Sequence, residues 1–136
     1  MSQYATTAIN AAIALQATPS LSAKKAWEQE IAKTSFSSSS KAKCCPRVAF
    51  VGLCDVGCVT GVIGTLTPPP TKSNALYAYE GFLILSVMNV PITQRAGVSP
   101  KPKDLWIQVL KKLKIKNKVH NSQMDVVIGL WINGLI

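Results

Sequence analysis

One stretch of the sequence occurs in two versions, Phe50–Val59 (FVGLCDVGCV) and Val127–Ile136 (VIGLWINGLI), which align without a gap. Each version has two apolar residues, then Gly and Leu, and a second Gly four residues after the Leu. Upstream, Lys24–Lys33 (KKAWEQEIAK) aligns with Lys103–Lys112 (KDLWIQVLKK) at almost the same offset, and a Tyr-Ala pair opens each half. Segments that recur in the same order indicate an internal duplication.

Apolar residues at helical spacing, together with capping signals, predict an all-α fold of about six helices. Two pseudo-repeated halves of three helices would share one core. The predicted helices are Gln3–Gln16, one capped by Ser22, one from Cys45 to Gly57 or Gly61, Ser73–Val87, Pro102–Leu113, and one from a cap at Asn121 or Ser122 to Gly134.

The sequence predicts a single domain made of halves at about 1–64 and 74–136. The linker between them, 65–73, contains three consecutive prolines, which favour an extended spacer over a helix. The serine run at 35–40 is predicted to be a flexible loop. Pro91 and the stretch 97–100 are predicted to interrupt helical structure again.

We expect a cytoplasmic protein with no membrane segment. The N-terminus lacks the basic start of a secretory signal, and four cysteines would then be kept reduced. The stretch 48–66 approaches membrane-spanning length, but it places Asp55 near its middle. A central Asp costs about 2.5–3.5 kcal/mol on insertion scales, which favours a buried helix of a water-soluble fold.

Basic residues are the strongest functional signal in the chain, whose formal net charge is +9. Five lysines fall within eight residues: Lys111, Lys112, Lys114, Lys116 and Lys118. Such a run can neutralise several phosphates, whereas the alternative interpretation is a solvated face that keeps the protein soluble. Lys41, Lys43 and Arg47 form a second basic group that could extend the same contact surface.

The four cysteines lack the paired Cys-x-x-Cys spacing of a structural zinc site, so we expect neither a metal nor a cofactor. Cys54 and Cys58 align with Trp131 and Leu135, which favours small buried thiols. Cys45 aligns with Ser122, a candidate N-cap, where a helix dipole and nearby basic residues would favour a thiolate. It is therefore the candidate reactive thiol.

Catalytic chemistry is not indicated by the remaining titratable residues, so we expect a protein that is not an enzyme. His120 is the only histidine and is predicted to be a solvated loop residue. The six carboxylates are scattered, and none has the spacing of an acid/base or metal-binding pair.

Three parts of the chain resemble a family of small uncharacterised bacterial all-helical proteins of unknown function. They are the tryptophan at 27, the segment Cys45–Cys54 (CPRVAFVGLC) and the run Asn121–Val127 (NSQMDVV). The resemblance implies a bacterial cytosolic helical protein and brings no activity or site residues with it.

The sequence thus predicts a non-catalytic binding protein whose lysine-rich surface contacts nucleic acid or another polyanion. The alternative is an interaction or scaffold protein, such as a homo-oligomer, that buries an apolar face against a partner. A third alternative is a thiol redox protein that uses Cys45.

Overall fold

The computed structural model describes residues 2–65 and 68–136. All regular secondary structure in these two ranges is helical, which confirms the all-α prediction. The eight helices are α1 (Gln3–Ala17), α2 (Ala23–Ile31), α3 (Ser38–Lys41), α4 (Cys44–Asp55), α5 (Asn74–Ser86), α6 (Ile92–Val98), α7 (Pro102–Leu113) and α8 (Gln123–Ile132). The predicted count of about six is too low, because α3 and α6 lie where irregular structure was expected.

The two additional helices are stabilised in different ways, α3 by a local serine cap and α6 by a contact with a distant part of the chain. α3 is one turn within the serine run, and the Ser37 hydroxyl caps it by accepting from the Ser40 amide at 3.3 Å. α6 follows Pro91, and its Arg95 donates from Nη1 to the carbonyl of Trp131 at 2.7 Å. Short helices are marginal in isolation, so such anchors decide whether they form.

The predicted linker 65–73 contains no helix in its described residues, which are 65 and 68–73. Residues 66 and 67 of that linker, and Met1 at the start of the first half, lie outside the described ranges. The apolar stretch that begins at Val48 is helical only to Asp55. Within residues 2–65 and 68–136, no helix combines the length and the apolar character needed to cross a membrane.

Serine hydroxyls cap three of the long helices at their N-termini. Ser2, Ser22 and Ser73 accept from the backbone amides of Ala5, Lys25 and Leu76 at 3.1–3.2 Å. Each bond satisfies one of the amides that a helix start leaves without an intrahelical partner. The predicted cap at Ser22 is confirmed.

α4 and α8 end in the same way, at glycines with left-handed backbone. Gly57 has φ 81°, and the amide that follows it donates to Leu53 O at 3.0 Å. Gly134 has φ 71°, and the amide that follows it donates to Leu130 O at 2.9 Å. Both are Schellman-type ends, in which glycine adopts a conformation that costs other residues free energy. Of the two predicted stops for α4, the structure uses Gly57.

Two further glycines let helix backbones approach closely. A Cβ atom at Gly52 of α4 would overlap the Cβ of Ala75 in α5 and lie 2.8 Å from its Cα. A Cβ atom at Gly129 of α8 would lie 2.8 Å from the Cβ of Ala5 in α1. Real Cβ contacts are longer than this, so only glycine fits either position. The close approaches join α4 to α5 and α8 to α1.

One buried cluster draws on α1, α2, α4, α5, α7 and α8. Aromatic pairs mark its two sides: Trp27 packs on Phe50 with ring centroids 5.6 Å apart, and Tyr77 packs edge-on against Trp106 at 5.4 Å. The spacing of apolar residues in Pro102–Leu113 predicts one buried stripe, made of Leu105, Trp106, Val109, Leu110 and Leu113. In α7 the first three are buried, and the last two are half-buried and pack on the core.

The close contact of Gly52 with Ala75 predicts that two Gly→Ala substitutions in helices change the free energy of unfolding in opposite directions. Gly52→Ala should lower the free energy of unfolding by about 1–3 kcal/mol, because the clash with Ala75 outweighs the helix propensity of alanine. Gly97→Ala is the matched control, since a Cβ there would meet nothing within 4 Å. It should raise stability by up to about 1 kcal/mol.

Urea denaturation of the two variants and the wild type checks this prediction. Equal stability of Gly52→Ala and Gly97→Ala would contradict the close approach of α4 and α5.

Candidate functional site

The lysine segment begins in the last turn of α7 and continues into the loop that leads to α8. Lys111 and Lys112 lie in the last turn, where positive charge interacts favourably with the helix dipole. The helix ends at Lys114, which has left-handed backbone with φ 57°, and the Ile115 amide donates to Leu110 O at 2.9 Å. Leu113 and Ile115 pack on the core between the lysines.

Two contacts fix the far end of the segment. The indole Nε1 of Trp106 donates to the backbone carbonyl of Lys118 at 3.0 Å. The Lys118 ammonium lies 5.7 Å from the centre of the Tyr77 ring, within the range of a cation–π contact. The loop between α7 and α8 is thus attached to the core at Ile115 and at Lys118.

The five lysines of the segment differ in what they contact. Lys112 forms an ion pair with Glu80 of α5, with Nζ 2.6 Å from Oε2. The Glu80 side chain is only 15 % exposed, so Lys112 neutralises a largely buried carboxylate. Lys111, Lys114 and Lys116 are exposed and have no ion pair among residues 2–65 and 68–136. The free cations of the segment are therefore these three.

The second basic group is also divided among different contacts. Lys41 donates from Nζ to the carbonyl of Ala32, just after α2, at 3.2 Å. The Lys43 ammonium lies 5.9 Å from the centre of the Tyr4 ring. Arg47 is half-buried and lines a surface cleft of about 360 Å³. The three residues of this group therefore have different surroundings.

His120 lies near one member of each basic group, Lys118 of the lysine segment and Lys43 of the second group. Its Nε2 accepts a hydrogen bond from the Met124 amide at 3.1 Å, and its ring lies 5.4 Å from that of Trp106. Burial lowers its pKa, Lys103 and Lys43 lower it further, and Asp125 opposes them. The prediction of a solvated loop residue is wrong, because the imidazole is half-buried and caps α8.

Lys43 and Lys103 both act on His120, which follows Lys118 by two residues. They therefore lie at the same edge of the molecule as the end of the lysine segment. Lys103 was not singled out in the sequence. Its position in the first turn of α7, three residues before Trp106, is the signal that could have found it, because i and i+3 share a helix face.

Cys45 does not have the environment predicted for a reactive thiol. The N-cap of α4 is Lys43, so Cys45 lies inside the first turn and is not the cap. Burial raises its pKa, and the neighbouring Cys44 adds to the rise, while Asn74 and Lys43 act in the opposite direction. The expected thiolate is therefore wrong: partial burial outweighs the basic neighbours.

Burial also keeps Cys54 and Cys58 as thiols. Cys54 is buried, and desolvation raises its pKa to about 12. Desolvation raises the pKa of Cys58 to about 11. Across residues 2–65 and 68–136, no three His, Cys, Asp or Glu side chains are grouped so that they could hold a metal ion.

These features define a small all-helical protein with a basic edge formed by the end of one helix and the loop that follows it. The chain belongs to the family of unknown function DUF6979, whose model matches residues 1–136. No curated protein and no solved structure matches it.

The thiol environments predict a fixed order of alkylation in the native protein. Cys44 is exposed and should react first. Cys45 should follow because its pKa is raised, and Cys54 should be slowest because it is both buried and least ionised. Peptide mapping after timed labelling at pH 8 measures the order.

Labelling in urea is the control, since all four thiols should then react at similar rates. Faster reaction of Cys45 than of Cys44 in the folded protein would contradict the burial of Cys45.

Proposed function

We propose that the protein is a non-catalytic binding protein that contacts nucleic acid or another polyanion through the end of α7 and the loop after it. The observation that carries the proposal is the exposure of Lys111, Lys114 and Lys116 without acidic partners among the described residues. Lys43 and Lys103 extend the positive edge around His120. Each lysine that contacts a phosphate releases a counterion, which is favourable at low salt.

The chemistry of this surface favours contact with phosphates over recognition of bases. Lysine presents a point charge and lacks the planar fork with which arginine binds guanine or phosphate in two places. The nearest aromatic rings, those of Tyr77 and Trp106, are buried in the core and are not available to stack on bases. We therefore propose binding that depends on charge density and little on sequence.

A salt series with a labelled DNA duplex tests the proposal. Affinity should fall steeply with salt, at a slope of about 0.9 in log K per log salt for each phosphate contact. Changing Lys111, Lys114 and Lys116 together to Gln should lower that slope by up to about 2.7. Lys112 stays unchanged because its loss would leave Glu80 without its ion pair.

The matched control changes the exposed Lys24, Lys25 and Lys72 to Gln, which removes the same charge elsewhere. Among the described residues only Lys24 of these has an ion pair, an exposed one with Glu28 at 4.0 Å. Equal weakening by both triple variants would indicate attraction to net charge without a defined surface. Absence of binding by the wild type at low salt would contradict the proposal.

A second candidate function is self-association, which an apolar surface after α5 favours. Val87 is 80 % exposed and Ile92 is 54 % exposed. A cleft of about 360 Å³ adjoins them and is lined in part by Phe82, Leu85 and Trp131. Apolar surface of this kind is typical of protein contacts when it is contiguous.

Sedimentation velocity over a concentration series tests self-association. An apolar interface should persist at high salt, and Val87→Ser with Ile92→Ser should weaken it. Ile13→Ser is the matched control, because Ile13 is equally apolar and half-exposed but lies on α1. A monomer at every concentration, or equal effects of both changes, would contradict this candidate.

We also infer that the single domain consists of two duplicated halves, α1-α2-α4 and α5-α7-α8, with the bounds 1–64 and 74–136. The inference is supported by the matching glycine ends of α4 and α8 and by the matching close contacts of Gly52 and Gly129. The halves differ at their tryptophans. Trp106 anchors the lysine loop through Nε1, whereas Trp27 Nε1 is buried without a hydrogen-bond partner among the described residues.

The duplication bears on function because only one half has the basic loop. The stretch that corresponds to the lysine segment in the first half is the serine run, so we propose one polyanion-binding surface per chain. A bacterial origin and a cytoplasmic location remain part of the proposal. Both rest on the sequence resemblance, which implies a bacterial cytosolic protein.

A further inference from the structure

The loop that carries the last lysines is attached to the start of α8 by a histidine in place of an ordinary cap. Ser122 is the N-cap residue of α8, but it has left-handed backbone with φ 68° and makes no side-chain cap bond. The Met124 amide donates instead to Nε2 of His120 at 3.1 Å. A backbone amide can only donate, so Nε2 of the bound ring carries no proton. Protonation at Nε2 would place one N–H against another.

The surroundings of the ring make its charged form unfavourable in this position. The start of α8 carries the positive end of the helix dipole. Lys103 of α7 and Lys43 at the cap of α4 face the ring with positive charge, and Asp125 of α8 opposes them. Lys101 and Asp104, at the start of α7, line the same surface cleft as His120. The ring is half-buried against Trp106, so solvent cannot fully compensate a new charge.

His120 lies between two attachments of the loop. On one side, Trp106 Nε1 donates to the carbonyl of Lys118 at 3.0 Å. On the other side, the Asn121 amide donates to Oε1 of Gln123, whose Nε2 donates to Oδ1 of Asn74 in α5. Loss of the histidine bond would therefore act on a segment that is held on one side by the contacts of Lys118 with Trp106 and Tyr77, and on the other side by two hydrogen bonds of Gln123.

We propose that His120 is a pH-sensitive latch, which holds the loop 114–122 against α7 and α8 when neutral and releases it when protonated. The inference concerns how the loop is attached and does not depend on what the lysines bind. Acidification would then free the backbone that carries Lys116 and Lys118 from Trp106.

The direction of the pH dependence follows from the lowered pKa of His120. The released or unfolded state binds a proton near the usual pH 6.5, and the latched state binds it only at lower pH. The contribution of the latch is therefore fully present above pH 6.5. It is lost as the pH falls from there through the pKa of the latched state.

Nuclear magnetic resonance on the full chain tests the latch, because His120 is the single histidine and its ring signals need no assignment. The ring should titrate below pH 6.5. The Trp106 indole signal and the Met124 amide should change with the same midpoint. Relative to its intrinsic rate, exchange of the Met124 amide should accelerate about tenfold for each unit by which the pKa lies below 6.5.

Two variants separate the latch from general acid effects. H120Q retains an acceptor near the position of Nε2 but cannot titrate, so its Trp106 and Met124 signals should stay constant over the same pH range. D125N removes the acidic neighbour and should lower the pKa of His120 further. A ring pKa at or above 6.5, or the same pH response in H120Q as in the wild type, would overturn the proposal.

Discussion

The close approach of helix backbones at two glycines is the constraint on which the rest of the structure depends. Gly52 lets α4 lie against the first turn of α5, and Gly129 lets α8 lie against the first turn of α1. Each contact joins an early part of the chain to a later one, so helices that are distant in sequence share buried surface. Because interiors are closely packed, even one additional methyl group at such a contact must displace backbone.

The position of the basic edge follows from this packing. α7 packs on α5 and α8, which buries Trp106 and leaves the opposite face of α7 in solvent. The buried indole then holds the carbonyl of Lys118, and Lys112 reaches Glu80 of α5. The lysines of the segment that make no such contact, Lys111, Lys114 and Lys116, remain available to a partner. A count of lysines overstates that set, since two of the five are engaged with the core.

The sequence predicted those features that are decided within one or two helical turns. The cap at Ser22, the glycine end of α4 and the buried stripe of α7 are local, and all are found. α6 was missed because its Arg95 is held by Trp131, which is distant in sequence. The histidine cap of α8 was missed although its partner, the Met124 amide, is only four residues away, because Asn121 and Ser122 are the residue types that usually cap a helix. The thiol of Cys45 was misjudged because its burial depends on packing that no spacing reveals.

Mapping of a DNA duplex onto the isotope-labelled protein at low salt tests the central claim most directly, that the cations left free by the fold form one binding edge. We expect chemical-shift changes confined to residues 111–118 and to the neighbourhood of Lys43, Lys103 and His120. Changes spread over the lysines of α2 as well, or no changes at any residue, would contradict it.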